Sequence, residues 1–577
     1  MIILGLNIFH ADTSAALIID GELVSAIEEE RFTKIKHYAG LPLNSIKHCL
    51  NASNLSISEV DIISVNFNSK YNFLNKALFA FKNINMSTVT KIASLHKKNS
   101  IKKILEANFS KEINAKIVYI PHHIAHIASG YFLSGLNNAI GLTIDGSGDF
   151  STSESFILEN NSIKLIKKNI YPHSLGIFYQ TFTQFLGFMN YGDEYKFMGL
   201  SSYGVPKYLN RLKKIITYND KGDFKLNLKY FNFHKDSLNF NFSNNNPFFL
   251  EFFNNSFIEL FGNQRSINHK FTDYHKDLAA SVQKIFEEII ILKIKFLKKN
   301  FDEPNIVLSG GCFFNSILNG KIHDLKLFEN ISISPFVGDA GGGVGAALYY
   351  IRNNENFKNV PLKISYLGSS YSNEFIKSNV IEQRDLDNSE SINYQYFEDF
   401  SELTSLISKK ILENNLVGWF QGKSEFGPRA LGNRSLLANP KNPQMKKIIN
   451  EKIKKREDFR PFAPIILEEY YKDYFYQEFP SPFMSFVFKV KKKAIREIPA
   501  VVHINNTSRV QTINKQQNPK IYDLLSKFNE ISGVPALLNT SLNINEPINN
   551  DPNTAFETYT NSNIDILVME NYVFYKK

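Results

Sequence analysis

The segment Pro121–Phe150, PHHIAHIASGYFLSGLNNAIGLTIDGSGDF, constrains the fold of this chain more than any other. Its first half predicts a helix in which His122 and His126 stand one turn apart, so both imidazoles lie on one face and can share a cation. Its second half, AIGLTID, predicts a strand that ends at Asp145 and is followed by a glycine-rich turn. Such a turn presents backbone N–H groups and a carboxylate to a phosphate and its metal. The alternative is a surface helix followed by an ordinary strand and turn.

The length and composition indicate a large globular protein. A chain of 577 residues exceeds one hydrophobic core, so two or three domains are expected. Apolar residues make up 43% of the chain, including 50 Phe and 27 Tyr, which excludes global disorder. The net charge is +10, but the lysines are scattered, and the basic runs near 97–103 and 293–299 resemble solvated helix faces. We therefore expect no nucleic-acid partner.

The cysteines and the apolar segments point to the cytoplasm. Cys49 and Cys312 lie far apart in the sequence and suggest no disulfide framework, as expected in a reducing compartment. The opening MIILGLNIFH lacks the basic region of a secretory signal. No apolar run reaches the roughly 18 residues that a membrane helix needs, so we predict no membrane span.

The N-terminal residues predict a strand, a small polar turn and a β-hairpin. Residues 2–9 form the strand, HADTSAA the turn, and Asp20-Gly21 the hairpin signal. This order opens the actin-type ATPase fold, in which the turn faces nucleotide phosphates. His10 and Asp12 then lie at the phosphate loop, although His10 can also be a simple turn residue.

The following segments give a coarse secondary-structure prediction. The charge-rich stretch 28–42, with His37, lines a polar cavity or forms an exposed loop. Helices are predicted at 43–54, about 70–108, 175–188 and 275–299, and a strand at 116–120. Residues 189–204 are rich in glycine and polar side chains and predict a binding or connecting loop. Residues 218–272 indicate no chemistry, and no internal repeat is visible.

Two further strands end in glycine-rich turns that open helices. The first is followed by Ser309-Gly310-Gly311, where glycines let the backbone approach a ring or phosphate. The second is followed by GDAGGGVGAALYY, with Asp339 at its head. Together with the N-terminal turn, these predict a two-lobed nucleotide site. Asp339 becomes a fourth candidate metal ligand, and a set of two histidines and two carboxylates suits several divalent metals.

The composition changes at 352–364, which predicts a linker, and beyond it the chain carries arginines among glycines. LVGWFQGKSEFGPRALGNRSLLANP starts as a strand that holds Trp419 and continues as a loop. Arginine forks and backbone amides that converge suit a polyphosphate, whereas loop salt bridges are the alternative. The candidate polyphosphate ligands are Lys423, Arg429, Arg434, Ser435, Lys455, Arg456, Arg460, Arg509, Asn539, Thr540 and Ser541.

These motifs carry a family resemblance. GLNIFHADTSAAL, EEERFTKIKH, PHHIAHIASGYFLS, DGSGD, YKFMGLSSYG, LSGGCFFN, GDAGGGVGAAL, EFGPRALGNRS, FRPFAP and LNTSLNINEPI span almost the whole chain. In this order they resemble the NodU/CmcH family of O-carbamoyltransferases. One departure is Asn545, which stands where the family usually has glycine.

The resemblance implies an α/β fold with two domains. Residues 1–351 would form a TsaD-like, two-lobed actin-like ATPase domain, 352–363 a linker, and 364–577 an α+β YrdC-like domain. The C-terminal domain would make carbamoyl-adenylate from carbamoyl phosphate and ATP with Mg(II). The N-terminal domain would pass the carbamoyl group to a hydroxyl of a sugar-like, natural-product or glycan acceptor. A homodimer is the candidate assembly of the chain.

The resemblance also implies site residues in the N-terminal domain. Iron, Fe(II), would be held by His122, His126, Asp145 and Asp339, and His10 would be the base for the acceptor hydroxyl. The nucleotide would contact Asp12, Gly146, Ser147, Gly148, Gly310, Gly311, Asn315, Gly341 and Gly342.

Three alternatives remain at this level. An actin-fold kinase or ATPase explains residues 1–350 but leaves the C-terminal arginines without a role. A tRNA threonylcarbamoylation component would need concentrated basic surface, which the scattered lysines do not supply. A nucleotide-sensing scaffold would release no phosphate and transfer no carbamoyl group.

Overall fold

The computed structural model of the chain divides into two units, Met1–Leu362 and Lys363–Lys577. The structure describes residues 1–82, 101–235, 241–243, 245–354, 359–383 and 393–576. Among these residues, no helix combines the length and the apolar character needed to cross a bilayer.

The first sheet of the N-terminal unit contains five strands in the order β3-β2-β1-β4-β5. The turn Asp20-Gly21 joins β2 to β3 with φ values of 49° and 86°, which confirms the predicted hairpin. Strands β1 to β3 pair antiparallel, whereas β4 and β5 run parallel to β1. The strands are β1 (Ile2–Asn7), β2 (Ser14–Ile19), β3 (Glu22–Glu28), β4 (Ile62–Val65) and β5 (Lys116–Tyr119).

The second sheet repeats this topology. Its order is β14-β13-β6-β7-β8, again an antiparallel meander of three strands extended by two parallel strands. The strands of this sheet are β6 (Asn138–Gly148), β7 (Ser151–Glu159), β8 (Ser162–Ile170), β13 (Asn305–Ser309) and β14 (Asn330–Ile333). Between β8 and β13 the chain forms two separate two-stranded sheets, β9 (Ile216–Tyr218) with β10 (Phe224–Leu226) and β11 (Asn241–Ser243) with β12 (Asn246–Phe248). Two such sheets in one unit make a two-lobed, actin-like α/β domain.

The helices of this unit agree with most of the predicted ones. The predicted helix at 70–108 is described as two segments, and residues 83–100 lie outside the described part. The expectation of a loop over 189–204 is wrong, because residues Glu194–Ser201 form a helix. The α-helices are Glu30–Thr33, Leu43–Asn51, Phe73–Lys82, Ile101–Phe109, His122–Tyr131, Leu175–Phe185, Glu194–Ser201, Leu209–Leu212, Asn255–Phe261, Asp273–Asn300, Ser316–Asp324 and Gly341–Asn354.

Two helices in equivalent positions of the two lobes contact each other closely. His122–Tyr131 follows β5 and Gly341–Asn354 follows β14, the last strand of each sheet. A Cβ atom at Gly345 would lie 1.8 Å from the carbonyl oxygen of Ala125. Glycine at this crossing therefore lets the two backbones approach, which places the histidine helix against the glycine-rich helix.

Replacing Gly345 by alanine is expected to destabilise the N-terminal unit by about 1–3 kcal/mol, the range for overpacking a core. Either helix must shift, because the clashing atom is backbone. Urea unfolding followed by circular dichroism measures the change. Gly146→Ala is the control, since a Cβ there meets nothing within 4 Å. Equal unfolding midpoints for the two variants would contradict the close crossing.

The C-terminal unit is built on one eight-stranded sheet in the order β15-β24-β23-β16-β17-β22-β18-β21. The predicted strand at LVGWF is β16, and its Trp419 is fully buried. The strands are β15 (Asn393–Tyr396), β16 (Val417–Phe420), β17 (Arg434–Ala438), β18 (Ala463–Leu467), β19 (Val487–Lys489), β20 (Thr507–Arg509), β21 (Gln511–Ile513), β22 (Ala536–Ser541), β23 (Ile566–Met569) and β24 (Tyr572–Tyr575), with β19 and β20 forming a separate pair. The α-helices are Asn373–Ile376, Phe400–Leu412, Met445–Ile448, Tyr471–Tyr474, Lys492–Glu497, Pro519–Ser532 and Pro552–Thr560.

Candidate metal centre and arginine-rich site

Four side chains from three separate parts of the N-terminal unit converge on one point. His122 and His126 lie in the first turns of their helix, Asp145 lies near the end of β6, and Asp339 precedes the helix Gly341–Asn354. Nε2 of His126 lies 2.9 Å from Nε2 of His122, 2.9 Å from Oδ2 of Asp145 and 3.2 Å from Oδ1 of Asp339. Nε2 of His122 lies 3.3 Å and 3.4 Å from the same two oxygens.

This spacing fits a shared cation. Bonds of about 2.0–2.2 Å to a divalent metal hold neighbouring ligand atoms about 3.0–3.5 Å apart. A direct hydrogen bond between the two Nε2 atoms requires one imidazole to donate and the other to accept. A cation instead binds the lone pairs of both nitrogens at once. His122, His126 and Asp339 are buried, so water supplies little of the required compensation. The four predicted ligands are therefore placed where one metal ion can contact all of them.

The local backbone explains how Asp145 and His122 reach this point. The register of β6 against β7 shifts between Ile144 and Gly148, so the strand continues through Gly146–Gly148 instead of turning there as the sequence suggested. Such an irregularity redirects side chains. A Cβ at Gly148 would lie 2.0 Å from Cδ2 of His122, so only glycine leaves room for the ring.

The charges in the cluster are strongly coupled. Burial alone would lower the pKa of His126, but hydrogen bonds to Asp145 and Asp339 raise it to about 10. Burial likewise opposes the charged form of Asp145, yet hydrogen bonds from His122 and His126 hold its pKa well below the usual range. The two carboxylates thus favour positive charge at the centre of the cluster, as a cation site requires.

His10 extends the cluster towards solvent. Its Nδ1 lies 2.6 Å from Oδ2 of Asp339, and its side chain is 25% exposed. Asp339 therefore contacts two groups of histidines, with Oδ1 facing His122 and His126 and Oδ2 facing His10. Attraction to His10 contributes to holding the pKa of Asp339 below its usual range against the opposing effect of burial. A carboxylate on Nδ1 fixes the imidazole with Nε2 available as a base.

Several of the residues predicted to contact a nucleotide shape the backbone in or near this cluster. The N–H of Gly146 donates to Oδ1 of Asp145 at 2.7 Å. A Cβ at Gly311 would lie 3.0 Å from that same oxygen. The side chain of Asn315 accepts from Leu318 and so caps the next helix. Gly310, with φ of 94°, allows the strand β13 to turn. Gly341 and Gly342 leave no room for a Cβ beside Phe336 and Asn66.

Sequence reasoning did not identify the pair formed by His37 and Asp12. Nδ1 of His37 lies 2.7 Å from Oδ1 of Asp12, and the N–H of His37 donates to Oε2 of Glu30 at 2.7 Å. Burial alone would lower the pKa of His37, but attraction to Asp12 outweighs it and raises the pKa to about 9. The ring of Tyr191 lies 5.1 Å from His37. The charge-rich stretch 28–42 thus contributes a histidine whose protonated form is favoured by Asp12.

In the C-terminal unit, most of the predicted ligands lie at one edge of the large sheet. Strand β22 runs antiparallel to β17 and β18, with Ser435 opposite Ser541 and Ala463 opposite Asn539, and β21 runs parallel to β18. Strands β17, β18 and β21 therefore begin at the edge where β22 ends. The segments that carry these residues are far apart in the sequence. The topology therefore brings together Arg434, Ser435, Asn539, Thr540 and Ser541, and Arg509 ends β20 directly before β21 begins.

Three arginines lie near one another at this edge. The pKa of Arg429 lies well below its usual range because of burial and repulsion from Arg509. Burial and repulsion from Arg460 lower the pKa of Arg509 to about 10. Repulsion among neighbouring guanidinium groups favours binding of an anion between them.

The other predicted ligands differ in their surroundings. Arg434 is fully buried, donates to the carbonyl oxygens of Gln421 and Ser369 at 2.7 and 2.9 Å, and stacks on Phe420. Its contacts hold the loop that carries Arg429. Ser435 accepts from the N–H of Gly432. Arg456 donates to Asn450, whereas the side chains of Lys423 and Lys455 are exposed.

Comparisons with known proteins agree with this division. A family model described as Carbamoyltransferase N-terminus matches residues 2–348, and one described as Carbamoyltransferase C-terminus matches residues 408–576. The (R)-2-hydroxyglutaryl-CoA dehydratase component A of Acidaminococcus fermentans aligns at 12% identity and a TM-score of 0.35, covering 61% of this chain and 98% of that chain, which is too low to bear on function.

Similar proteins extend over nearly the whole chain. The uncharacterized protein sll1178 of Synechocystis sp. is 34% identical, with 100% of this chain and 96% of that protein covered. Nodulation protein NolNO of Sinorhizobium fredii is 32% identical, with 99% and 80% covered. The uncharacterized protein MJ1051 of Methanocaldococcus jannaschii is 31% identical, with 100% and 99% covered. The chain belongs to the carbamoyltransferase family and is a carbamoyltransferase enzyme.

Proposed function

We propose that this carbamoyltransferase forms carbamoyl-adenylate from carbamoyl phosphate and ATP in its C-terminal, YrdC-like unit, and transfers the carbamoyl group to an acceptor hydroxyl in its N-terminal unit. The observation that carries the proposal is the convergence of His122, His126, Asp145 and Asp339 beside His10. The resemblance stated above supplies the identity of the intermediate.

The arginine-rich edge suits the first half of the reaction. Carbamate is a poor electrophile, and joining it to AMP creates a good leaving group. Carbamoyl phosphate with water would give carbamate and orthophosphate; a carbamate oxygen would then attack the α-phosphorus of ATP, and pyrophosphate would leave. Arg429, Arg460 and Arg509 would neutralise the phosphates during this step, an effect commonly worth several kcal/mol when the charges are pre-positioned.

The histidine and aspartate cluster suits the second half. A divalent cation bound there, which the resemblance identifies as Fe(II), would stabilise the negative charge that develops on the phosphate of AMP as AMP leaves. The acceptor hydroxyl would attack the carbamoyl carbon while the bond from that carbon to the phosphate oxygen breaks. His10 would take the hydroxyl proton on Nε2, because Asp339 occupies Nδ1. Glycines 146 and 148, on the strand that carries Asp145, would let the adenylate approach the backbone.

The acceptor hydroxyl would come from a sugar-like compound, a natural product or a glycan. His37 contacts both Asp12 and Tyr191, and this polar group suits a polyhydroxylated molecule. Incubation with ATP, ¹³C-labelled carbamoyl phosphate and a panel of saccharides and hydroxylated antibiotics, followed by mass spectrometry, tests the proposal. Labelled carbamoyl ester on a panel member is the expected result. Label that remains in carbamoyl phosphate while ATP phosphorylates the acceptor would favour a kinase instead.

A further inference from the structure

The helix that carries His122 and His126 begins without a cap of its own. Pro121 stands at the N-cap position, and no side chain of that residue accepts a hydrogen bond. The N–H of His122 instead donates to Oδ2 of Asp149 at 2.9 Å, across 27 residues of sequence. A carboxylate at the first N–H of a helix satisfies a donor that the helix itself leaves unpaired. Asp149 therefore anchors the helix at the residue that offers the first imidazole.

Asp149 is itself held by two neighbouring segments. The same oxygen accepts the N–H of Asn68 at 2.7 Å, and Nδ2 of Asn72 donates to the carbonyl oxygen of Asp149 at 3.0 Å. Asp149 and Phe150 have φ values of 49° and 70°, two successive non-glycine residues in the left-handed region. Such residues cost on the order of 1 kcal/mol or more each and persist where surrounding contacts determine them. The position of the Asp149 carboxylate is thus enforced by its surroundings.

The same turn also fixes the imidazole ring. Gly148 lies directly against the ring of His122, and Asp145 lies on the same strand, β6. One short segment therefore sets three things at once: the carboxylate of Asp145, the ring plane of His122 and the start of the histidine helix. A shift of Asp149 would move His122 relative to Asp145, although Asp149 lies outside the set of four ligands.

We propose that Asp149 is the positioning residue that fixes His122 against Asp145 and thereby sets the affinity of the N-terminal unit for its divalent cation. The inference rests on the proposed function in taking the cluster as a cation site. Partners that orient metal ligands typically change metal affinity by about 10–100-fold when they are removed.

The test measures Mn(II) affinity by isothermal titration calorimetry on the full-length protein. Asp149→Gly removes the carboxylate at a backbone conformation that glycine adopts without strain, so the fold is favoured. We expect about 10–100-fold weaker binding. Asp149→Asn restores an acceptor oxygen and is expected to recover most of the affinity. Pyrophosphate release by the C-terminal unit stays unchanged in both variants, which confines the effect to the N-terminal unit, and recovery in Asp149→Asn separates positioning of His122 from a loss of structure there.

Asp61→Ala is the matched control. Oδ2 of Asp61 also accepts a backbone N–H, that of Ile2 at 2.7 Å, where β1 begins and away from the cluster at its other end. Unchanged affinity is expected for this variant. Wild-type affinity in Asp149→Gly would overturn the inference, and so would equal losses in Asp149→Gly and Asp149→Asn.

Two outcomes separate this inference from the proposed function. A wild-type protein that binds no Mn(II) would defeat the cation site itself, whereas equal binding by wild type and Asp149→Gly would defeat only the role of Asp149. If Asp149→Gly does not fold, Asp149→Ser replaces it, because a shorter hydroxyl cannot serve both N–H groups. A loss on the order of tenfold is then expected, and unchanged affinity overturns the inference.

Discussion

Asp339→Asn is expected to lower carbamoyl transfer about 10⁴-fold, the loss seen when the aspartate behind a catalytic histidine becomes asparagine. Asp339 places one oxygen 3.2 Å from His126 and the other 2.6 Å from His10. The amide lacks the negative charge that favours a cation. It can also donate an N–H to Nδ1 of His10, which places the imidazole proton on Nε2, the atom that must act as the base. Product formation from labelled carbamoyl phosphate, with an acceptor found in the panel, measures the effect.

Pyrophosphate release should be unchanged in Asp339→Asn, because adenylate formation is assigned to the other unit. Asp277→Asn is the matched control, since Asp277 is 6% exposed and Asp339 is 5% exposed. Asp277 contacts Lys207 and the N–H of Val205 and lies outside the metal cluster. Transfer within tenfold of wild type in Asp339→Asn would contradict the assigned role. A parallel loss of pyrophosphate release would contradict the separation of the two steps.

Arg509→Met is expected to slow pyrophosphate release about 10²–10³-fold, the range for removing one pre-positioned electrostatic contact from a transition state. Arg509 lies close enough to Arg429 and Arg460 for repulsion to act among the three groups. Methionine keeps an unbranched, flexible side chain, so the loss reports mainly the charge. A coupled assay for pyrophosphate with saturating ATP and carbamoyl phosphate gives the rate.

Arg496→Met provides the comparison for Arg509→Met. Arg496 is exposed on the helix Lys492–Glu497 of the same unit, so its replacement is expected to leave the rate unchanged. Because the proposed cation site lies in the N-terminal unit, Mn(II) affinity should also stay at the wild-type value in Arg509→Met. Equal rates of pyrophosphate release for Arg509→Met and Arg496→Met would exclude the arginine-rich edge of the large sheet as the site of adenylate formation.

The metal cluster could be predicted from the sequence because its signals are local. The spacing of His122 and His126 needs only helical periodicity, and Asp145 and Asp339 each stand where a strand gives way to glycines. The family resemblance then joins these four residues into one ligand set. The structure brings their ligand atoms within 4.8 Å of one another.

The repeated sheet topology could not be predicted in this way. The repeat lies in strand order and direction, and the strands IILGLN and NAIGLTIDGSG share little beyond apolar character. Strand pairing depends on contacts between distant segments, which periodicity does not report. The equivalence of the helices that follow β5 and β14 becomes visible only when both sheets are traced.

The helix Glu194–Ser201 was missed because tertiary contacts outweigh local preference. Its sequence, EYKFMGLS, contains a glycine and little amphipathic pattern. Phe197 and Leu200 are nevertheless fully buried, and Lys196 lies 2.7 Å from Asp193 at the start of the helix. Burial of two large side chains stabilises the helix by more than glycine costs, which is about 1 kcal/mol.

The different roles of Arg429 and Arg434 also could not be predicted from the sequence. Arg429 and Arg434 are both basic and five positions apart, yet Arg434 turns into the core and donates to backbone carbonyls. The Glu425 carboxylate, which accepts the N–H groups of Leu431 and Asn433, shapes the same loop. Composition indicates an anion site, whereas only the structure separates residues that face it from residues that build it.

The most direct measurement is a rapid-quench, acceptor-free reaction with ATP and ¹³C-labelled carbamoyl phosphate, analysed by mass spectrometry. Labelled carbamoyl-adenylate and pyrophosphate are expected from the wild type and from Asp339→Asn, and neither is expected at a comparable rate from Arg509→Met. If orthophosphate is the sole phosphate product and ATP stays intact while label still reaches an acceptor, the carbamoyl group moves directly from carbamoyl phosphate, and the two-step account is contradicted.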